Sequence, residues 1–161
     1  MISRSEALKL LKSIVKDEAK LSHSFGVAEM MENIAHQFHL QSEKWYLTGL
    51  LHDIDIPLIG DDWSRHGIEA QRILAGHLPY QALRAIMAHD RNTGIKSDSK
   101  LSKSLILADV TDNLARKVSI EELRQAMQTM NFDELKKKLP RDLNNLQVIA
   151  DFVHKWPEIR I

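Results

Sequence analysis

Residues 52 and 53, a histidine and an aspartate, close the apolar run Leu47-Thr48-Gly49-Leu50-Leu51 in a chain of 161 residues without cysteine. A neutral imidazole nitrogen and an ionised carboxylate are both good ligands for a divalent ion. The run reads as a buried helix that carries the pair inward, where polar side chains need partners. The dipeptide alone says little, because this composition gives about half such a pair by chance, and a second one, His89-Asp90, is present. The weight comes from the company of His52 and Asp53. His23 lies four residues before Val27, on the buried side of the preceding helix, and Asp109 lies in the middle of a later one.

The elements that must position these residues read as helices throughout. Gly and Pro are sparse, and Val and Ile form no alternating runs. Ser3 with Glu6 is a capping box opening a first helix, with Leu8, Leu11 and Val15 on one face. A second helix runs from about 17 to 38 on the stripe Phe25, Val27, Met30, Met31, Ile34 and Phe38. Gly26 within it would let another backbone come close. Ser42 is expected to cap a third helix, 43–54, which delivers His52 and Asp53 at its end. Residues 55–65, with Pro57 and Gly60, read as a loop. Helices follow from His66 to Gly76, from Pro79 to about His89, and from Leu101 to Lys117. Residues 92–99 are a polar loop. A second capping box, Ser119 with Glu122, opens a helix to about Met130. A short helix at 132–138 and an amphipathic one from Leu143 to Trp156 end the pattern, leaving 157–161 as an arm or frayed end. Met127 with Met130, and the series Leu143, Leu146, Ile149, Phe152 and Val153, read as core or partner-helix stripes rather than cofactor sites. The expected architecture is all-α, one domain over 1–161.

Composition narrows the function. Formal net charge is zero and the sequence pI is about 7.1. A broad nucleic-acid or membrane-surface role needs a basic excess, so neither extended nucleic acid nor a membrane is an expected partner. Without cysteine, disulfides, thiolate catalysis and zinc–thiolate sites are excluded. No stretch approaches the ~18 apolar residues of a span, and the N-terminus has no signal pattern. A cytoplasmic location is the expectation.

Three sequence contexts occur in a telling order: Leu21-Ser22-His23-Ser24-Phe25-Gly26-Val27-Ala28, Thr48-Gly49-Leu50-Leu51-His52-Asp53-Ile54, and Leu105-Ile106-Leu107-Ala108-Asp109. This resembles the HD-domain superfamily of metal-dependent phosphohydrolases, over roughly residues 20–115. Residues 119–161 read as a helical extension of the same core, and a homodimer is a possible partner state. The resemblance implies a helical bundle of about seven to nine helices. It also implies that His23, His52, Asp53 and Asp109 ligate a first divalent ion. His66-Gly67 and Ile86-Met87-Ala88-His89 resemble the extra ligand histidines of binuclear branches, one of which contains the symmetrical diadenosine-tetraphosphate hydrolases. Asp53 would then bridge two ions and be the central catalytic residue. A mixed His/carboxylate set favours iron or manganese, with cobalt, nickel, zinc or magnesium as alternatives.

The implied chemistry is hydrolysis of a small phosphorylated, nucleotide-like substrate. A divalent ion acidifies a bound water and neutralises developing phosphoryl charge. Many superfamily members follow the His-Asp pair with glycine and lysine, but here Ile54-Asp55-Ile56-Pro57 follows, without a cation. Arg65, Arg91 and Lys96 are the candidates to meet phosphate in its place. Asp112, one turn past Asp109, is a candidate for a water or a substrate hydroxyl, against the simpler reading that it pairs with Arg116. Trp63 could stack on a base. Two further functions fit the same ligands: a non-catalytic metal-binding module and a di-iron oxygenase.

Overall fold

The computed structural model describes residues 1–157 and 159, and no strand occurs among them. In chain order the helices are α1 (Arg4–Ile14), α2 (Glu18–Gln37), α3 (Ser42–Leu51), α4 (Ile56–Ile59), α5 (Ile68–Leu74), α6 (Tyr80–Met87), α7 (Lys100–Ala115), α8 (Ile120–Thr129), α9 (Asp133–Lys138) and α10 (Leu143–Lys155). Single 3-10 turns lie at Trp63–Arg65 and Arg91–Thr93. The helix beyond the expected nine is α4, one turn inside the segment that reads as a loop. Pro57 sits in its first turn, where a missing N–H costs nothing, and Gly60 ends it at a φ of +57°. Of the expected tail, residues 158, 160 and 161 lie outside the described residues.

Local side-chain caps open four of these helices, α1, α2, α7 and α8. Both capping boxes form, Ser3 with Glu6 and Ser119 with Glu122, and the Asp17 carboxylate accepts from the amides of Ala19 and Lys20 to open α2. Ser42 does not cap α3. It is the first helical residue, and Gln41 before it makes no side-chain cap.

The layers that matter for the site are α2, α3 and α7. Helices α2 and α3 approach so closely that a Cβ on Gly49 would stand 2.9 Å from the Ala28 Cα and the Val27 carbonyl oxygen. Helix α7 packs across α2 and α6, and α10 lies on α7. One cluster of buried apolar side chains runs from Ala7 to Ile159 and takes in Leu146, Ile149, Phe152 and Val153 of α10. The methionine stripe of α8 is half as wide as expected: Met127 is buried, but Met130 ends the helix at φ +53° and is 46% exposed. Leu143 is likewise exposed. No helix among the described residues is long and apolar enough to cross a membrane.

Candidate metal centre

Helix α3 stops at Leu51, three residues before its apolar pattern does, and the stop has a local cause. The His52 Nδ1 hydrogen-bonds the Gly49 carbonyl at 2.7 Å, taking the acceptor that another turn of helix would have used. His89 repeats the device just past the end of α6, with Nδ1 2.6 Å from the Ile86 carbonyl oxygen. In both cases the bond requires Nδ1–H and leaves the Nε2 lone pair pointing into the protein.

The other two histidines are held the same way by carboxylates. His23, on α2, has Nδ1 2.7 Å from Asp112 Oδ2. His66 has Nδ1 2.9 Å from Asp55 Oδ1. All four Nε2 atoms then face two aspartates. Asp53 Oδ1 lies 3.3 Å from Nε2 of His52, of His66 and of His89, and its Oδ2 lies 3.6 Å from His23 Nε2. Asp109 Oδ1 lies 3.2 Å from His23 Nε2 and 4.0 Å from His52 Nε2. The structure therefore brings together all six residues singled out as ligands. Asp53, between the two ends of the cluster, turns one oxygen to each.

The donor set suits a cation. Two atoms about 2.1 Å from one ion stand about 3.0 Å apart at an octahedral angle and about 3.4 Å at a tetrahedral one. The observed 3.2–3.3 Å gaps fall in that window. His66 and His89 bring their Nε2 atoms within 3.1 Å of each other, while both Nδ1 atoms are engaged elsewhere. Two lone pairs at that distance repel unless a proton or an ion lies between them. His52 Nε2 is fully buried with no hydrogen-bond partner, a costly state that a ligated ion would relieve. Two groups, His23 with His52 and Asp109, and His52 with Asp53 and His89, could each hold a metal ion.

The electrostatics agree. Burial disfavours a charged His23, but its bonds to Asp109 and Asp112 outweigh burial and push its pKa up to about 10. Asp53 and Asp55 do the same for His66, also to about 10. Burial keeps His52 below its ordinary value. Burial would raise Asp53, yet the surrounding His52, His66 and His89 hold it well below the usual carboxylate range. The carboxylates demand positive charge between these nitrogens, which protons or a divalent ion can supply.

Asp55, assigned no role from sequence, is fully buried. Its Oδ2 accepts from the amides of Gly67, at 2.7 Å, and Ala70, at 3.0 Å. It caps α5 from outside, since Gly67 has no side chain to do so. The signal was an acid flanked by Ile54 and Ile56, a setting unlike a solvated loop. Asp112 also differs from expectation. It orients His23 and accepts both Nε and Nη2 of Arg116, so the simpler pairing exists alongside a tie to the ligand set. Gly26 makes room for that carboxylate rather than for a backbone. Of the loop cations, Arg65 is exposed and bound to Glu69 at 2.7 Å, whereas Arg91 and Lys96 line a cavity that reaches His89. Trp63, 46% exposed, sets its ring edge against His66.

Comparison with curated proteins and with solved structures returns no significant match. A family model described as the HD domain matches residues 21–117, from the turn before His23 to the end of α7. The match spans more than half of the chain and encloses every residue of the cluster, and the chain belongs to the HD-domain family.

Proposed function

We propose that this chain is a binuclear metal-dependent phosphohydrolase acting on a small phosphorylated, nucleotide-like molecule. HD-domain proteins are mostly metal-dependent hydrolases. The observation that carries the finer reading is the orientation of the four imidazoles. Each is tied at Nδ1 to an acceptor outside the cluster, and each turns Nε2 toward Asp53 or Asp109.

On this reading His23, His52 and Asp109 would hold one ion and His66 and His89 a second, with Asp53 shared between them. The donor set favours iron or manganese. When bound, the ions supply Lewis acidity, which acidifies water and offsets phosphoryl charge. The chain's own part is positioning. Asp112, Asp55 and the Gly49 and Ile86 carbonyls fix the tautomer and tilt of the four rings. Asp109, with 22% of its side chain exposed against none of His52, lies on the more exposed side of the cluster. Arg91 and Lys96 follow His89 and would meet a phosphate, a role supported by their lining the cavity that reaches His89.

The test is hydrolysis of a panel of phosphomonoesters, diesters and dinucleotide polyphosphates with manganese, iron or cobalt. Turnover is expected in the native chain and lost in Asp53→Ala, whose circular dichroism stays helical. Persistent metal-dependent turnover in that variant would falsify the assignment. An anomalous-scattering map of the purified protein gives the ion count and identity directly.

A further inference from the structure

A cavity of about 680 Å³ opens between the loop after His89, helix α7 and helix α10. That volume is in the range of small-molecule sites. Two of its walls run into the ligand set. His89 lines it from one side, and Ile106 lines it from α7, one helical turn before Asp109. The third wall is α10, which lies beyond the residues matched by the family model.

The lining mixes apolar and charged side chains. Ile95, Ile106, Val148, Phe152 and Trp156 supply the apolar part. The Trp156 ring is fixed by Phe152 at 4.7 Å and Phe38 at 6.1 Å, with the Lys155 ammonium over it at 4.6 Å. The cations are Arg91, Lys96, Lys103 and Lys155. Three aspartates also line the cavity, but each is engaged locally. Asp90 accepts from the Asn92 amide, Asp98 pairs with Lys103 at 3.1 Å, and Asp151 accepts from Gln147. Four cations against three aspartates leave the lining slightly positive beside His89. Cations and apolar side chains are interspersed along it, with Lys155 over the Trp156 ring, which fits a molecule with an anionic end and a flat apolar end.

We infer that this cavity seats the organic part of the substrate, and that α10 selects an aromatic or heteroaromatic phosphate of nucleotide size over a bare sugar phosphate. The inference rests on the phosphohydrolase reading for the name substrate, but the cavity is tested by binding rather than turnover. The phosphate lies toward His89, Arg91 and Lys96. The ring system lies against Ile95, Val148 and Trp156.

AMP and ribose 5-phosphate carry the same sugar phosphate with and without a base. Titrated calorimetrically into the full chain, metal-loaded and again after chelation, AMP is expected to bind about tenfold more tightly in both states. Trp156→Leu and Ile95→Ser should each remove most of that preference and leave ribose 5-phosphate affinity within about twofold. Ile95 is outside the buried core, so its variant keeps the test usable if loss of Trp156 unfolds α10. Equal affinity for the two ligands in the native chain, or a preference surviving in the folded variants, overturns the assignment. A chain that prefers AMP but hydrolyses nothing sinks the phosphohydrolase and leaves the cavity. A chain that hydrolyses phosphates without a base preference does the reverse.

Discussion

Residues 21–117 and the helices after them solve opposite problems. In the first region α2, α3 and α7 carry His23, His52 and Asp109 into the interior, and every cluster histidine is tied at Nδ1 and turns Nε2 toward a carboxylate. In the second, α8 to α10 turn apolar stripes inward and keep ion pairs such as Arg124–Glu121 and Lys137–Glu134 at the surface. The second region is held by burial, which is non-directional and tolerant of small shifts. The first is held around charges whose cost depends on geometry and on a cation. Substitutions should therefore separate two readouts: metal affinity in the first region and bare stability in the second.

The largest separation is expected between Asp55→Ala and Ile149→Ala. Removing the Asp55 carboxylate leaves His66 Nδ1 and the Gly67 and Ala70 amides without their acceptor inside the protein. With each such loss costing about 1–3 kcal/mol, we expect at least about 3 kcal/mol of destabilisation. Metal affinity should fall about 10- to 100-fold because His66 loses its orientation. Ile149→Ala empties a fully buried site on α10 and should cost a similar 2–5 kcal/mol, approximately. It is not one of the cluster residues and lies on α10, outside the elements that carry them, so metal affinity should stay within about twofold. Urea unfolding and chelator competition on both variants check this. Equal losses of affinity would remove the distinction between the regions.

Gly26→Ala sharpens the comparison within the first region. In a helix interior this change alone favours folding by about 1 kcal/mol. Here the new methyl would collide with the Asp112 carboxylate, which must swing away from His23 Nδ1. Stability should change little while metal affinity drops about tenfold. Unaltered affinity, measured by the same competition, would show that Asp112 does not orient the ligand histidine.

The same contrast explains what the sequence made legible. His23, His52, Asp53 and Asp109 could be found because residue type, order and apolar context all pointed to buried polar groups. His66 and His89 are legible only through the resemblance of their contexts to binuclear branches of the family. Helix ends were misplaced where a side chain overrode the apolar pattern, as when His52 takes the Gly49 carbonyl and stops α3 at Leu51. Asp55 went unread because its partners are the amides of another helix, a relation that no local window contains. The cavity was equally out of reach. Arg91 and Lys96 are near His89 in sequence, but Val148, Phe152 and Trp156 meet them only after α10 has packed on α7. Phe152 belongs to the core stripe, at 4% exposure, and also lines that space.

The smallest expected effect lies in the capping box of α8. Glu122 accepts from the Ser119 amide and hydroxyl and pairs with Lys138 of α9. The Lys138 ammonium and the Ser119 donors lower its pKa from 4.5 to about 2. A carboxyl depressed in the folded state adds stability above its unfolded pKa and loses it as pH falls through the folded one. The gain from Glu122 is therefore complete above pH 4.5 and disappears as the pH approaches 2. Because the group is exposed, salt should weaken the effect. Comparing Tm for the native chain and Glu122→Gln, we expect a small difference that is constant above pH about 5, shrinks in more acidic buffer and narrows at 1 M salt. Metal affinity at neutral pH should be the same in both proteins, since α8 contributes no ligand. A loss of affinity in Glu122→Gln would mean that the surface of the extension is coupled to the cluster after all, and that burial alone does not account for how α8 to α10 are held.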